Sequence, residues 1–255
     1  MDRPKVDYNQ LAPTYHERYR DSTMDGFAQV LIGLVEQRGA RTVLEVGCGT
    51  ARWIESLRTT GAWIFGVDAS TGMLQEAARR LGPCGLAAAS ANNLPFASRS
   101  FDMICCINAI HHFDDAKHFV REARELLSPG SLLAIAGIDP RANQRRYYYE
   151  YFEGALDLDL GRYPSHGEMV DAMASAGYKE IELRIVDKWS QEFRGAEIFQ
   201  DPFLEKSSNS LLALLTEEEY ARGLDKIRSA VAKDPETRFY SELSFAMITG
   251  EVAAG

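Results

Sequence analysis

The stretch VLEVGCGTA, residues 43–51, decides the fold because a strand-like run passes directly into a glycine-rich turn. Residues 42–46 form a short, largely apolar run that stops at Gly47, as a buried parallel strand does. The glycines at 47 and 49 allow positive φ and a close approach of the backbone to a ligand, and a following helix offers free N–H groups. The stretch therefore predicts a ligand-binding turn between the first strand and its helix.

Strand and helix patterns alternate along the chain after this turn. The predicted strands are residues 42–46, 63–67, 85–89, 101–107 and 131–137. A helix is predicted over residues 70–81, and another opens at Asp114 or Asp115 and stops before Pro129 and Gly130. This alternation predicts an α/β fold with a doubly wound, mostly parallel sheet.

The regions before and after this alternation have other patterns. Residues 8–38 predict two helices, the first with Leu11, Tyr15 and Tyr19 on one face. After Asp139 the pattern lapses into a polar and aromatic stretch, so residues 140–164 and 189–235 are predicted to be inserted cap segments. Capping boxes at Ser165/Glu168 and Thr216/Glu219 open two further helices, and residues 180–186 and 239–252 are predicted strands. We expect one domain over residues 1–255.

Charge and cysteine usage narrow the functional classes. The net charge of −9 leaves no surplus of Lys and Arg to neutralise phosphates, so nucleic acid is not an expected partner. The four cysteines form no C-x-x-C pair, and two of them are adjacent in an apolar run, so neither a disulfide framework nor a metal site is predicted. The chain has no signal-like start and no apolar run of membrane-spanning length, so we expect a cytoplasmic protein without membrane contact.

The glycine turn departs from one familiar pattern. The dinucleotide fingerprint G-x-G-x-x-G places its third glycine where this chain has Arg52. What remains is Glu45, two residues before the first glycine, followed by G-x-G-x-A. The sequence therefore argues against a nicotinamide cofactor.

The surviving motif resembles that of class I S-adenosylmethionine-dependent methyltransferases, of the methyltransferase type 11-like, small-molecule branch. The resemblance extends through FGVDASTGML, SANNLPFASRSFDMI and NAIHHF, and covers roughly residues 40–140 in the right order. It implies a Rossmann-like sheet of seven strands with the last antiparallel, a helical N-terminal lid over residues 1–40, a cofactor-binding half over 41–140 and a substrate-side half over 141–255.

The resemblance also implies a set of residues that contact S-adenosylmethionine. Asp68 is suited to a ribose diol and Met73 to packing on adenine, whereas Ser90 stands where the family usually has Asp. The adenine amino group is then expected to meet a backbone carbonyl or Asn92. The full set of predicted cofactor-binding residues is Tyr15, Glu45, Gly47, Cys48, Gly49, Ala51, Asp68, Ala69, Met73, Ser90, Ala91, Asn92 and Asn108.

The acceptor end rests on side chains near the strand that ends at residue 107. His111 and His112 follow it and are the candidate catalytic bases, although packing in a strand-to-helix turn is an equally simple role for one of them. Because neighbouring side chains diverge in such a turn, we expect only one of the two to face the acceptor. The predicted substrate-binding residues are Tyr8, His16, Tyr19, Tyr147, Tyr148 and Tyr151.

The resulting function hypothesis is methyl transfer from S-adenosylmethionine to a small-molecule acceptor by in-line displacement, with alignment and exclusion of water supplying most of the catalysis. Two alternatives stay open: an acceptor that is a protein or is bound to a carrier, and a non-catalytic protein that binds the cofactor.

Overall fold

The computed structural model describes residues 6–15, 25–82 and 84–254. A seven-stranded sheet forms the centre of this part of the chain. Its strands are β1 (Thr42–Val46), β2 (Trp63–Asp68), β3 (Gly85–Ala88), β4 (Phe101–Ile107), β5 (Leu127–Gly137), β6 (Lys179–Arg194) and β7 (Arg238–Glu251). They lie in the order β3-β2-β1-β4-β5-β7-β6.

The pairing of the strands confirms the predicted fold class. Strand β1 is parallel to β2 and β4, β2 is parallel to β3, and β4 is parallel to β5. The last strand, β7, runs antiparallel to both of its neighbours, β5 and β6. The chain leaves β1 toward one edge through β2 and β3, then returns to β4 on the other side, so the strand order reverses between β1 and β4. Ligands of open α/β sheets bind beyond the carboxyl ends of the strands at this point.

Helices cover both faces of the sheet. The α-helices of the described part of the chain are α1 (Tyr8–Tyr15), α2 (Asp25–Arg38), α3 (Arg52–Leu57), α4 (Thr71–Leu81), α5 (Ala116–Leu126), α6 (Tyr147–Tyr151), α7 (Ala155–Arg162), α8 (His166–Ser175) and α9 (Glu217–Lys233). One apolar cluster joins α2, α3 and α4 to the sheet, and a second joins α5 and α8 to the opposite face. No helix among the described residues is long and apolar enough to cross a membrane.

The ends of these helices follow the chemistry of their first residues. The Asp115 side chain accepts a hydrogen bond from the His118 amide and begins α5, which buries Phe119, Val120 and Ala123 against the sheet. Both predicted capping boxes are present, Ser165 with Glu168 at α8 and Thr216 with Glu219 at α9. Local sequence therefore fixes where α5, α8 and α9 begin.

A second body rests on an extension of the sheet. Beyond Gly137, the last residue of β5 to pair with β7, strands β6 and β7 continue as a two-stranded ribbon to the pair Arg194 and Arg238. Helices α6, α7 and α9 pack on this ribbon together with short 3₁₀ turns between residues 195 and 214. Their apolar side chains form a third cluster, which is separate from the two that cover the sheet. We call this body the cap.

Two predicted boundaries are wrong. The strand predicted over 180–186 continues to Arg194, so the second inserted segment begins at residue 195 instead of 189. Its outer half alternates exposed polar and half-buried residues, because one face of the ribbon meets solvent. Strand β5 begins at Leu127, before Pro129, where the preceding helix was predicted to stop. Leu127 already pairs with Phe101, and exposed Pro129 lies at this early part of the strand, where its missing N–H is tolerated.

Candidate functional site

The carboxyl ends of β1, β2 and β4 open into a cavity of about 620 Å³, which we call the main cleft. The glycine turn after β1, the end of β2 and the turn after β4 form its walls, with α1 and α7 at its rim. This is the position that the reversal of strand order predicts for a ligand. All of the described residues predicted to contact the cofactor, except Ala51, line this cleft: Tyr15, Glu45, Gly47, Cys48, Gly49, Asp68, Ala69, Met73, Ser90, Ala91, Asn92 and Asn108.

The glycine turn is held by backbone geometry that few residues tolerate. Gly47, Gly49 and Ala51 all have positive φ, at 76°, 52° and 62°. The amides of Gly47 and Cys48 both donate to the Val67 carbonyl, which ties the turn to the end of β2. A Cβ on Gly47 would lie 2.4 Å from the Cβ of Ala109, in the turn after β4. The absence of a side chain at Gly47 therefore lets the two turns that form the cleft meet.

Asp68 ends β2 and connects it to the glycine turn. One carboxylate oxygen accepts a hydrogen bond from the Gly49 amide at 2.8 Å, and the other accepts one from the Ser70 amide at 2.8 Å. Burial raises the pKa of Asp68, and these amides oppose the effect by stabilising the charged form. Each oxygen keeps a further lone pair, so the carboxylate can still accept hydrogen bonds from a ligand in the cleft.

Glu45 is the most unusual group in the cleft. Its side chain is 1% exposed, and neither carboxylate oxygen has a hydrogen-bond partner among the described residues. Burial raises the pKa of this carboxyl well above its ordinary value, and the charge of Asp68 raises it further. The nearby Ile54 amide lowers the pKa, although it lies outside hydrogen-bond geometry. A buried carboxylate without donors is costly, so Glu45 indicates a cationic or strongly donating ligand group beside it.

The far wall of the cleft carries a second acceptor without a partner. Asn92 donates through Nδ2 to the Asp115 carbonyl at 2.8 Å, but its Oδ1 is buried with no donor among the described residues. The Ser90 hydroxyl accepts from the Asn92 amide within the same loop, and Ala91 is buried. With the amide oriented in this way, Asn92 offers its oxygen to an amino group of a planar ligand.

The two histidines after β4 lie together at the inner end of the cleft. A 3₁₀ turn over Ile110–His112 places the two rings 3.8 Å apart between centroids. His111 stacks on Tyr163 at 4.0 Å and 11°, and His112 Nε2 lies 2.7 Å from the Tyr8 hydroxyl. Both histidines line the main cleft. The tight turn therefore keeps the neighbouring rings together, and the expectation that only one of them faces the acceptor stays a prediction.

A smaller cavity of about 150 Å³ opens on the cap side of the histidines, and we call it the cap pocket. It shares five lining residues with the main cleft: Tyr8, Tyr15, Asn108, His111 and His112. Asn108 has a φ of 53°, a left-handed conformation that asparagine adopts more readily than most residues other than glycine. The two cavities therefore meet at the end of β4.

The predicted acceptor residues divide into three groups. Tyr8 and Tyr148 line the cap pocket. Tyr147 and Tyr151 line neither cavity: Tyr147 donates to buried Asp201 at 2.6 Å, and Tyr151 packs on Phe239 in the cap. Consecutive residues of the short helix α6 point in different directions, which is why only part of the tyrosine run reaches the pocket. His16 and Tyr19 lie outside the described residues.

Several lining residues carry no motif that sequence reasoning could use. Arg52 and Arg162 line the main cleft, and Arg146 and Trp189 line the cap pocket. Asn9 of α1 accepts hydrogen bonds from the Ser70 hydroxyl and the Gly72 amide, both at 2.9 Å, and so docks α1 on the start of α4. For Arg146, the run RRYYYEY, in which this arginine precedes three tyrosines, is the one local sequence feature that could have drawn attention to it.

Comparison with known proteins places this geometry in a family. Residues 44–135 match the family described as a methyltransferase domain. A malonyl-[acyl-carrier protein] O-methyltransferase of Dechloromonas aromatica is 30% identical over 191 residues, which cover 71% of this chain and 68% of that protein. The chain belongs to the class I S-adenosylmethionine-dependent methyltransferases.

Two further comparisons define the extent of the likeness to other methyltransferases. Methyltransferase GfsG of Streptomyces halstedii is 34% identical over 57% of this chain, and the match spans 55% of that protein's own length. The crystal structure of YcgJ from Bacillus subtilis superposes with a TM-score of 0.61 at 19% identity, covering 89% of this chain and 98% of that one. At this identity the structure supports the fold alone.

The main cleft of this methyltransferase fits S-adenosylmethionine, the cofactor of the family. The orphaned Glu45 carboxylate suits the ammonium of the amino acid half, and the Gly47–Gly49 turn leaves open space above Gly49 for close approach. Asp68 suits the ribose diol, and the free oxygen of Asn92 suits the adenine amino group. Glu45 and Asn92 have buried oxygens that lack donors among the described residues, and the cofactor carries donors that can meet them. This complementarity supports the fit.

Proposed function

We propose that this chain transfers a methyl group from S-adenosylmethionine to a hydroxyl oxygen of a small-molecule acceptor held in the cap pocket. The observation that supports the proposal is the junction of the two cavities at Asn108, His111 and His112. A cofactor in the main cleft and an acceptor in the cap pocket would meet there. Among the described residues, His111 and His112 are the only histidines that line both cavities. The relative from Dechloromonas aromatica is named as an O-methyltransferase, which favours oxygen.

The residues of the main cleft bind and orient the cofactor. Glu45 binds the ammonium of the amino acid half and Asp68 binds the ribose diol, while Met73, which is 2% exposed, gives an apolar surface for the adenine. When bound, S-adenosylmethionine supplies a methyl group that its sulfonium centre already activates. The work left to the protein is alignment of an acceptor atom and exclusion of water.

The histidines give the site a means of removing a proton. Imidazole is the side chain that most often serves as a general base, so one of them can accept the hydroxyl proton of the acceptor. Stacking on Tyr163 holds the His111 ring, and the hydrogen bond with Tyr8 holds the His112 ring. Because Tyr8 comes from α1, this contact also places the N-terminal helix over the junction and helps to exclude water.

Labelled cofactor tests this function directly. The protein is incubated with isotopically methyl-labelled S-adenosylmethionine and fractionated cell extract, and mass spectrometry follows the label. We expect label in a small molecule with wild-type protein and much less with Asp68→Ala. That substitution is expected to weaken cofactor binding by about 1 to 3 kcal/mol, since it removes a buried acceptor. Binding of the cofactor without transfer of label to any fraction contradicts the proposal.

One competing function has an observation in its favour. The name of the 30% identical relative specifies an acceptor bound to acyl-carrier protein. In the same experiment a carrier-bound acceptor leaves the label in the macromolecular fraction, from which mild alkaline hydrolysis releases it. Label found there and nowhere else replaces the small-molecule acceptor with a carrier-bound one.

A further inference from the structure

The cap pocket has an unusual balance of charge. Its walls are largely aromatic, with Tyr148, Tyr163, Trp189, Phe203 and Phe245 among them. Arg146 is the one permanently charged side chain on these walls, and no carboxylate lines the pocket among the described residues. The pocket therefore differs from the main cleft, where Asp7, Glu45, Asp68 and Asp114 face the cavity.

Arg146 is held rigidly in this position. Its backbone forms a bridge to Ser241 of β7, and its guanidinium lies over the rings of Tyr148 and Tyr149 at 4.9 and 5.2 Å. The side chain is 11% exposed. A guanidinium fixed in this way loses little conformational entropy when it binds a ligand.

The guanidinium is also short of partners. Nη1 donates to the Tyr149 hydroxyl at 3.1 Å and lies 3.6 Å from Asp159. Asp159 is shared, because Arg162 binds its other oxygen at 2.9 Å. Nε of Arg146 is buried without a hydrogen-bond partner among the described residues, and Nη2 has none there either. A buried donor without an acceptor is costly, and Nη2 beside it lacks a partner among the described residues as well, so this edge of the guanidinium is suited to an acceptor that arrives with a ligand.

The other buried carboxylate nearby does not serve as that acceptor. Asp201 accepts hydrogen bonds from the hydroxyls of Tyr147 and Tyr148 and from the Phe203 amide. Among the described residues, it forms no ion pair within 4.0 Å, so Asp201 accepts hydrogen bonds from cap residues and does not pair with Arg146. Two arginines consequently share one carboxylate at ion-pair distance.

We propose that the cap pocket selects an aromatic acceptor that carries a carboxylate, with Arg146 binding the carboxylate and the aromatic walls binding the ring. A cavity of about 150 Å³ is the size that accommodates a single benzene ring. Guanidinium groups match carboxylates by two parallel hydrogen bonds, and Nε with Nη2 is one such pair of donors. The inference rests on the proposed function, since it names the class of acceptor for that site.

Binding of matched ring compounds tests the charge preference in the wild-type protein. The probes are 4-hydroxybenzoate, its neutral analogue 4-hydroxybenzamide and the cation 4-(aminomethyl)phenol, each titrated calorimetrically into protein saturated with S-adenosylhomocysteine. We expect the acid to bind at least tenfold more tightly than the amide, and the cation to bind most weakly. Equal binding of acid and amide, tighter binding of the cation, or no binding of any probe overturns the proposal.

Two neighbouring arginines supply a matched pair of variants. Arg146→Met removes the guanidinium from the pocket, whereas Arg145→Met removes one that pairs with Glu242 at the surface and lines neither cavity. We expect Arg146→Met to abolish the tenfold preference for the acid while the affinity for S-adenosylhomocysteine is unchanged, and Arg145→Met to keep both. Preference retained in folded Arg146→Met overturns the proposal. If that variant does not fold, Arg146→Lys, which keeps charge but loses the paired donors, is expected to reduce the preference.

These results are distinguishable from a failure of the proposed function. If acid binding is selective and depends on Arg146, but no small molecule in the extract is methylated, the carboxylate subsite is supported and the proposed function is contradicted. If a small molecule without an acidic group is labelled, and acid and amide bind equally, the proposed function is supported and the carboxylate subsite is contradicted.

Discussion

The two halves of the cavity system, the main cleft and the cap pocket, are encoded in the sequence in different ways. In the main cleft, ligand-facing residues sit within a few positions of a strand end, so Glu45, Gly47 and Asp68 reach the cleft through local geometry. In the cap pocket, neighbours such as Tyr148, Trp189 and Phe203 come from three separate segments that meet through packing. The first kind of site is encoded by short motifs, whereas the second depends on the tertiary arrangement of the cap.

The histidines at the junction belong to both halves, and they carry the largest expected effect. If the acceptor is protonated at working pH, replacing both by alanine should lower turnover by about 10² to 10⁴, the usual contribution of a general base. The wild-type rate should rise as pH increases through the imidazole titration, because the base must be neutral, and this rise should disappear in the double variant. Turnover and its pH profile, measured with the acceptor found in extract, provide the test.

The single variants sharpen this result. His111→Ala removes the stack on Tyr163, and His112→Ala removes the contact with Tyr8. The variant that loses the pH-dependent rise identifies the base, and the other should change turnover only modestly. A double variant that stays folded and keeps the wild-type rate and pH profile would leave alignment alone as the source of catalysis.

The next largest effect is expected at Gly47, where the fold and the cofactor site are inseparable. Gly47→Ala adds a strained φ, and its Cβ would overlap Ala109, so we expect a loss of about 3 kcal/mol in the free energy of unfolding. Gly39→Ala is the matched control, because Gly39 has a similar φ of 59° with nothing within 4 Å of its Cβ position and lies outside both cavities.

The control should lose only about 1 kcal/mol and keep the wild-type affinity for S-adenosylhomocysteine. Urea unfolding and calorimetry measure the two quantities. Equal losses of stability in both variants would show that the contact with Ala109 is unimportant, and that the two turns of the cleft are not mutually dependent.

These differences explain how much the sequence could predict. Both capping boxes follow from patterns of a few residues, such as Ser165 with Glu168, and the mostly parallel sheet follows from the alternation of strand and helix patterns. The antiparallel last strand is expected from the family resemblance, and no local pattern predicts it. The role of Arg146 does not follow from a local pattern either, since its neighbour Arg145 has the same local sequence and yet lies at the surface. Which of two adjacent arginines enters a pocket depends on the bridge to Ser241, nearly a hundred residues away.

The end of strand β6 was predicted wrongly for the same reason. The outer half of β6 has a polar composition that is typical of a loop, and it is a strand because β7 pairs with it as far as Arg194. Long-range pairing overrode local preference there. The position of Trp189 in the cap pocket follows from that pairing, so it could not be predicted before the ribbon was known.

Glu45→Gln separates stability from function within the main cleft. Burial raises the pKa of Glu45 in the folded protein, so its contribution to stability is present below its ordinary pKa of 4.5 and is lost as pH rises above it. Without cofactor, the variant should therefore be more stable than wild type at neutral pH, and the difference should vanish below about pH 4.5. Thermal unfolding from pH 4 to 8 measures this difference.

The same substitution should weaken cofactor binding by about tenfold to hundredfold, since it removes a charged partner for the ammonium. Asp68 also has a raised pKa but is present in both proteins, so the difference between them reports Glu45. A variant that is less stable than wild type at neutral pH without cofactor would mean that Glu45 has a structural partner, and its assignment to the ligand would be wrong.

The smallest expected effect tests whether the cap can be weakened without disturbing the cofactor site. Tyr147→Phe removes the 2.6 Å hydrogen bond to buried Asp201 and should cost about 1 to 2 kcal/mol of stability. Burial raises the pKa of Asp201 and this hydrogen bond lowers it, so the bond stabilises the charged form and its loss should matter less as pH falls toward the ordinary value of 3.8.

Tyr151→Phe is the control, because its hydroxyl has no hydrogen-bond partner among the described residues, and it should change stability by less than about 0.5 kcal/mol. Urea unfolding at pH 4.5 and 7.5, with calorimetry of S-adenosylhomocysteine, compares the pair. If Tyr147→Phe lowers cofactor affinity as much as stability, the cap and the main cleft form one cooperative unit, and the contrast between a locally encoded and a packing-dependent half does not hold.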